Sequence, residues 1–424
     1  MKILKLLGER RFAAFFWAQA LGAFNDNLIK NLLVLLVTYD NVRFGSPNAA
    51  STSSIASAIF TLPFIVFAGL SGQLADRFSK RSILRIVKVF EILIMGVAVF
   101  GLIYSSLNIL LIVLFAMGVH STFFSPAKYS ILPELLTLDE LPLGNGLLEA
   151  GTFLAILLGM LAAIGLYSLH DNTWLEVGLM ATAVLGLIFS LWIPDTPLRQ
   201  ADLKIDFNPW TSIRDNFEFA RHTPAIWSSI FGISWFWGIG IVVLAQIPVL
   251  VHDDLHANEV VVSLLLGGFT SGIGVGSLLG AMWRAERLNE RMSGRGLIGL
   301  STALLCFVVL ITLKEILPHA VIWLVLSVIS IGLAGGLFVV PLYTCLNTES
   351  QAPLRSRIIS ANSVMNFAFM IVFSLIASII LQRGISVGQL FLVLATGNIV
   401  FSLWYRGYQQ RCWAQQRQFL GLSY

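Results

Sequence analysis

Charge is scarce in this chain. Of its 424 residues, 12% are Asp, Glu, Lys or Arg and 57% are hydrophobic, whereas a soluble protein carries about 25% charged residues. That deficit excludes a water-soluble globular protein and points to a polytopic membrane protein, for which length-per-domain rules do not hold. The net charge of +4 is too small to indicate nucleic acid, and no such partner is expected. Cysteine is nearly absent. Cys306, Cys345 and Cys412 lie far apart with no CxxC, so neither a disulfide framework nor a zinc site is expected. No metal or cofactor is expected elsewhere either. A GxxxxGK[ST] phosphate loop is missing, which argues against direct ATP coupling within this chain. None of the six histidines is followed five positions later by Asp, the His-x4-Asp arrangement often used by membrane acyltransferases, so the chain is not expected to be an enzyme. The basic residues 1–11 precede an apolar run too long for a signal peptide, with no obvious small-x-small cleavage site. That run reads as a retained helix.

What is present is a series of twelve apolar runs: 12–38, 53–75, 86–104, 107–124, 143–168, 173–193, 225–251, 260–283, 296–313, 319–342, 359–382 and 386–405. About 20 apolar residues cross a bilayer as a helix. The expected fold is therefore an all-α integral membrane protein of twelve transmembrane helices in two pseudo-symmetric six-helix halves. The expected divisions are an N-terminal half at 1–193, a polar linker at 194–224, and a C-terminal half with tail at 225–424. The linker reads as a solvated connector, with 210–220 as an alternative amphipathic helix at the membrane surface. Of the 27 Lys and Arg residues, 22 fall on one side of the alternating topology, with both termini. Three (Arg43, Lys314, Arg383) fall on the other, and Lys30 and Lys88 lie within helices. By the positive-inside rule both termini are cytoplasmic.

The two halves echo each other. Gly72-x3-Asp76-Arg77 pairs with Gly280-x3-Arg284, Phe123-x2-Pro126 with Phe338-x2-Pro341, and Asn145-x3-Glu149 with Asn362-x3-Asn366. Such a repeat places a binding cavity between halves, near the membrane midplane. Gly268, Gly272, Gly276 and Gly280 in helix 8 form a small-residue stripe that reads as close helix packing.

The polar cluster Asn25-Asp26-Asn27, with Lys30 one turn on, interrupts the first run. A carboxylate at that depth costs about 2.5–3.5 kcal/mol on insertion scales. Either it pairs with Lys30 at i,i+4, or it lines a transport cavity. Four polar side chains in six positions exceed one pair's needs and favour the second. Asn145 and Glu149 share a face of helix 5, and Glu149 likewise needs a cavity or a partner. The expected substrate-binding set is Asp26, Asn27, Lys30, Asn145, Glu149 and Lys128. Lys128, in the loop after helix 4, either pairs with a nearby carboxylate such as Glu134 or meets an anion at the cavity mouth. His120 reads as a satisfied interior histidine rather than a proton carrier. Lys88 and Glu91, in the first turns of helix 3, can neutralise each other at i,i+3 and read as a structural or gate pair. The second-half runs offer amides (Gln246, Asn362, Asn366, Asn398) and aromatics (Trp235, Phe236, Trp237). A cavity charged on one side and apolar on the other suits an amphiphile.

Gly72-Gln73-Leu74-Ala75-Asp76-Arg77-Phe78-Ser79-Lys80-Arg81 resembles the loop 2–3 signature of the major facilitator superfamily, with Ser79 where Gly is usual. Its physical logic is a latch, with Asp76 accepting hydrogen bonds from a helix N-terminus or a basic side chain. Asp76, Arg77 and Arg81, with Lys88 and Glu91, form the expected gate set.

Four further stretches are similar to the bacterial lysophospholipid transporters of that superfamily: Gln19-Ala20-Leu21-Gly22-Ala23-Phe24-Asn25-Asp26-Asn27, Ser125-Pro126-Ala127-Lys128-Tyr129 with the residues to Leu135, Gly144-Asn145-Gly146-Leu147-Leu148-Glu149-Ala150, and Gly335-Gly336-Leu337-Phe338-Val339-Val340-Pro341-Leu342. The resemblance implies movement of lysophosphatidylethanolamine and related lysolipids to the cytoplasmic leaflet of the bacterial inner membrane for reacylation. It also implies matching roles for Asp26, Lys128, Asp76 and Arg77. Membrane lipids and an acyltransferase/acyl-carrier-protein synthetase are the implied partners. Some relatives continue into such domains, so this chain is either a free transporter or the first part of such a protein. Some members carry a basic residue in helix 7, where residues 237–244 here have none; Lys30 is the candidate replacement. The rival reading is a proton-coupled exporter of drugs or small amphiphiles on the same fold.

Overall fold

The computed structural model describes residues 2–39, 49–169, 172–198, 200–282 and 289–419. Among these the regular elements are helices: α1 (Lys2–Gly8), α2 (Arg10–Tyr39), α3 (Ala49–Val66), α4 (Ala68–Arg77), α5 (Lys80–Ile103), α6 (Leu107–Ser130), α7 (Leu132–Leu135), α8 (Leu141–Ser168), α9 (Asn172–Leu191), α10 (Pro209–Arg221), α11 (Pro224–Val249), α12 (Glu259–Met282), α13 (Asn289–Thr312), α14 (Ala320–Glu349), α15 (Arg355–Gln382) and α16 (Val387–Phe419). Ten of them are long and apolar enough to cross a membrane. An eleventh span is the pair α3–α4, bent by 54°. Pro63 lies one turn before the break. Its missing N–H and its ring weaken the helix there. α2, whose apolar run carries the polar cluster at 25–30, completes the twelve.

α5 shows how composition becomes a membrane helix. Lys88, Glu91, Met95, Ala98 and Leu102 are buried along one face. Ile86, Phe90, Leu93, Val97 and Phe100 are exposed along the other. The spacing of three and four residues in each stripe is the helical period. In water that exposed stripe would be a liability; in a bilayer it is the lipid-facing surface.

The chain folds as two compact units. The first comprises Met1–Thr137, Leu154–Phe217 and Gln351–Val364. The second comprises Leu138–Phe153, Glu218–Ser350 and Met365–Tyr424. α8 and α15 are thus each divided, with their first turns in one unit and the remainder in the other. In the first unit α2 packs on α3, α6 and α9, and α5 on α6 and α9. Leu28, Leu32, Met95, Val113, Met117 and Leu179 form its core. In the second, α14 packs on α11, α12 and α13, and α16 on α11 and α13. There the glycine stripe of α12 meets α14: a Cβ on Gly272 or Gly276 would strike the carbonyl of Ile329 or Leu333.

The span boundaries move in informative ways. Pro126 and Pro341 sit inside α6 and α14 rather than ending them. The linker is not simply a solvated connector, because it holds α10. Ser212, Asn216 and Ala220 of α10 are buried. Gln73 of α4 donates to the Ser212 hydroxyl at 2.7 Å and accepts from the Asp206 N–H at 2.8 Å. Arg284, in the echo of the first latch motif, lies outside the described residues.

Candidate functional site

The first unit holds a buried polar cluster around Glu91. Lys88 Nζ donates to Glu91 Oε2 at 2.6 Å, and both side chains are fully buried. Asn25 Nδ2 donates to Glu91 Oε1 at 3.1 Å. His120 Nε2 stands 3.3 Å from Glu91 Oε2, not aligned as a hydrogen bond, and neither ring nitrogen of His120 has a hydrogen-bond partner. The ring lies parallel to that of Phe124 at 6.0 Å, and Lys88 Nζ sits 5.4 Å from the same Phe124 ring. Glycines make the room: a Cβ on Gly22 would come within 2.5 Å of Lys88 Nζ, and one on Gly186 within 3.2 Å. Beside this cluster, Asp26 Oδ2 accepts from the Ser121 hydroxyl at 2.7 Å. Asp26 Oδ1 is buried without a partner. Each unsatisfied buried oxygen carries a desolvation cost of about 1–3 kcal/mol, more when charged.

A second constellation surrounds Asp76, which is fully buried. Its Oδ1 accepts from the Ser356 N–H at 3.0 Å. Its Oδ2 accepts from the Arg357 N–H at 3.3 Å and from Arg357 Nε at 3.2 Å. These amides belong to the first turn of α15, where unpaired N–H groups and the helix dipole favour an anion. Arg357 also donates to Gln200 Oε1 at 2.7 Å. Gly72 permits the approach, since a Cβ there would lie 2.9 Å from Ser360 Cβ and 3.0 Å from Arg357 Cα. Next to the latch, Lys80 pairs with Glu134 at 2.8 Å with both side chains 1% exposed, and Arg81 pairs with the exposed Asp195. Ser79, where the signature has Gly, accepts from the Ser82 N–H at 3.3 Å and caps α5.

In the second unit the buried polar contacts named here are between amides, hydroxyls and an indole. Asn145 donates to the Leu141 carbonyl at 2.9 Å and accepts from Asn347 Nδ2 at 2.9 Å. Glu149, one turn on, is 1% exposed. Trp235 donates to Asn398 Oδ1 at 2.8 Å, and Asn398 donates to Ser301 at 2.9 Å. Ser234 donates to Asn366 at 2.8 Å. An open apolar groove of about 730 Å³ runs past Trp235, Val393, Thr396, Gly397, Phe401 and Trp404.

The family model of the Major Facilitator Superfamily matches residues 13–375. The chain belongs to that superfamily. Among curated relatives, the lysophospholipid transporter LplT of Cronobacter sakazakii is 29% identical over 355 residues, covering 81% of this chain and 82% of that protein. The protein of the same name from Escherichia coli O1:K1 is 29% identical over 362 residues with the same coverage. Among solved structures, the human organic anion transporter MFSD10 superposes with a TM-score of 0.76 at 14% identity, covering 94% of this chain and 99% of that one. A bacterial homologue of the iron transporter ferroportin gives 0.68 at 14% identity, over 94% and 99%. At such identities the likeness shows the fold, that of the twelve-helix superfamily, and this is a multi-pass membrane protein.

In this superfamily member several residues lie elsewhere than their sequence context suggests. Asp26 and Lys30 do not meet in a direct contact: Lys30 Nζ sits 5.8 Å from the Phe60 ring centroid, and one carboxylate oxygen of Asp26 accepts from Ser121 of α6. Asn27 does not join the carboxylates, because its amide donates to the Ala23 carbonyl of its own helix; Asn25 reaches them instead. Lys88 lies in the third turn of its helix and Glu91 in the fourth, because α5 starts at Lys80, capped by Ser79, six residues before the apolar run. Lys128 sits on the last turn of α6 rather than in a loop, 5.1 Å from the Tyr129 ring. Glu134, a candidate partner for it, is held by Lys80. Arg77 turns to the Phe78 ring, with its guanidinium 5.5 Å away, while Arg357 supplies the cation at Asp76. Asn366 and Asn398 are engaged in internal bonds. Asp26, Asn27, Lys30 and Lys128 belong to the first unit, and Asn145 and Glu149 to the second. Sequence reading missed Ser121, Lys80, Ser356 and Arg357 as partners. Their only signal was Ser or a basic residue at a helix end or one turn inside, a pattern too common to single them out.

Proposed function

We propose that the protein moves lysophospholipids, chiefly lysophosphatidylethanolamine, to the cytoplasmic leaflet of a bacterial inner membrane for reacylation, by alternating access and without catalysing a reaction itself. The observation that carries this reading is the pair of LplT relatives aligned over about four-fifths of both chains. The local chemistry suits it. Asp26 offers a buried carboxylate oxygen with no partner to a head-group ammonium. Lys30, whose described contact is a ring face, offers a cation to a phosphate, with Lys128 as a second. Asn27, Asn145 and Glu149 complete the assigned head-group set. The acyl chain is assigned to the C-terminal half, 225–424, where the groove beside Trp235 is apolar. The other half is 1–193, joined by the linker 194–224. Asp76 with Arg357 is assigned as the cytoplasmic latch, with Arg77 and Arg81 beside it in sequence; Lys88 and Glu91, in their own buried cluster, complete the assigned gate set. The Lys and Arg distribution supports cytoplasmic termini, and an acyltransferase/acyl-carrier-protein synthetase is the natural consumer of the product.

The test is uptake of radiolabelled lysophosphatidylethanolamine into proteoliposomes, with a small amphiphilic cation as competitor. Saturable lysolipid uptake is expected. A charge-assisted hydrogen bond contributes about 1.5–3 kcal/mol, so Asp26→Asn is expected to lower uptake by about 10–100-fold. Movement of the cation without the lysolipid would replace this reading with the exporter.

A further inference from the structure

Two faces of α15 differ in character. Val372, Ile376 and Ile379 are exposed on one, as suits contact with acyl chains. Ser374, Ser378 and Gln382 follow one another a helical turn apart on the other. They too are exposed, and lipid tails would offer them no hydrogen-bond partner. That polar face borders α11, whose Val242 shares a small apolar cluster with Ala377 of α15. Between the two helices lies a pocket of about 430 Å³, with Gln246 of α11, Ser374, Ser378 and Gln382 as its polar lining and Val242 and Ala377 in its apolar wall. Gln382 Nε2 donates to Ser378 Oγ at 3.3 Å. Gln246 Oε1 is buried with no hydrogen-bond partner, and an amide oxygen left so is destabilising. None of the lining residues is titratable. The pocket therefore suits a neutral group that donates one hydrogen bond, accepts another and sits beside a short apolar segment. An ammonium fits it poorly, because it would lose water and meet no opposite charge.

We propose that this pocket binds the free glycerol hydroxyl of a lysophospholipid, and that Gln246 is the residue that separates lysolipid from diacyl lipid. The inference deepens the transport reading above and rests on it. A lysophospholipid keeps one glycerol hydroxyl where a diacyl phospholipid carries a second ester. That hydroxyl donates to Gln246 Oε1 and accepts from the Ser378 hydroxyl or the Gln382 amide. The adjoining methylenes lie against Val242 and Ala377. A diacyl lipid has no donor at that atom, so Gln246 stays unpaired and a second chain must also be housed. A site built around a hydroxyl rejects the analogue that lacks it far better than a site built on apolar contact alone. The position agrees. α11 runs from Pro224, at the linker, to Val249, and α15 runs from Arg355, beside the latch, to Gln382. Gln246 and Gln382 thus lie at the far end of each helix. On the transport reading that end faces the outer leaflet, from which the lysolipid is taken.

The experiment compares lysophosphatidylethanolamine with its deoxy analogue, in which hydrogen replaces the free hydroxyl. Each is used to displace radiolabelled lysophosphatidylethanolamine from the purified protein in lipid nanodiscs, and to compete with its uptake into proteoliposomes. The wild type is expected to bind the deoxy analogue about tenfold more weakly than the lysolipid. Gln246→Leu is expected to bind the lysolipid about tenfold more weakly and the deoxy analogue within about twofold of the wild type, so that the discrimination disappears. Gln246→Met, closer in length, should behave alike and guards against a packing defect in the first variant. Equal affinity of the wild type for the two ligands overturns the proposal, and so does a variant that weakens both ligands to the same degree. If the wild type takes up no lysolipid, the transport reading fails, and the displacement measurement alone judges the pocket: a preference for the hydroxyl that Gln246→Met abolishes supports it, and any other result overturns it.

Discussion

Inside the first unit, Lys88, Asn25 and His120 gather around the Glu91 carboxylate, and a second carboxylate, Asp26, stands beside them with an oxygen unused. Inside the second, Trp235, Asn398, Ser301 and Ser402 form a neutral chain of hydrogen bonds. Rings stack around it, Trp235 on Phe401 at 3.9 Å. In both interiors most of the buried polar groups named here find partners, as is the rule, and Asp26 Oδ1 is an exception. They differ in what a change of state does. A neutral chain of amides and hydroxyls has one protonation state and one preferred geometry, which suits a scaffold. An ionic cluster changes character when one proton or one ligand charge arrives, which suits a site that must bind and release.

The comparison breaks most visibly at Glu91. Replacing Glu91 by Gln leaves the Lys88 ammonium buried and unpaired, which is expected to cost about 3–5 kcal/mol. The readout is thermal unfolding in detergent. The double replacement Lys88→Met/Glu91→Leu should recover most of that loss, because matched apolar side chains carry no desolvation penalty. If Glu91→Gln unfolded with the wild type, the ions would not be holding this interior together.

Asp76 comes next. Asp76→Asn keeps the shape but weakens three hydrogen bonds from Ser356 and Arg357, at a cost of about 1.5–3 kcal/mol. Because those bonds are assigned to a latch, the same variant should also slow lysolipid uptake. Unfolding and uptake that both match the wild type would remove the latch role. On the neutral side, Asn398→Leu strands the Trp235 indole N–H and should cost about 1–3 kcal/mol in the same melting experiment, without the fall in lysolipid uptake expected of Asp26→Asn. An equal fall in uptake in Asn398→Leu would erase the distinction between the two interiors.

The long apolar runs made the spans legible, because burial in lipid leaves a composition no soluble fold shares. Asp26, Lys88 and Glu91 stood out for the same reason, since ionisable side chains are rare in such runs, and Asp76 stood out by the signature around it. Their partners were hidden. Asp26 and Lys30 have ideal i,i+4 spacing, yet the carboxylate is taken by Ser121 from a helix 95 residues away in sequence. Helix spacing states what can meet, and packing decides what does. Arg77 was the nearest cation to Asp76 in sequence, but the amide-rich start of α15, 280 residues on, offers two N–H groups at once. Lys128 was misplaced because Ser-Pro suggested a helix end. Pro126 instead continues the helix, as it can within packed transmembrane bundles.

The smallest expected effect sharpens the contrast from outside the membrane. Asp206, exposed in the linker, accepts from the Asn208 N–H at 2.9 Å and from the Thr211 hydroxyl at the start of α10. The Thr211 hydroxyl first, and then the Asn208 N–H, hold its carboxyl below the ordinary range, since hydrogen bonds to the charged form favour it. A lowered value means that this turn is supported above the ordinary carboxylate range, and that the support fades as the pH falls through the lowered value. Thr211→Val should raise the titration midpoint of Asp206, read from its carboxyl carbon shift, and leave the melting temperature of the protein unchanged within error. A midpoint that stays put would mean the hydroxyl contributes nothing. A large drop in melting temperature would mean that a solvated carboxylate matters as much as a buried one, against the weak net effect expected of charges that water already screens.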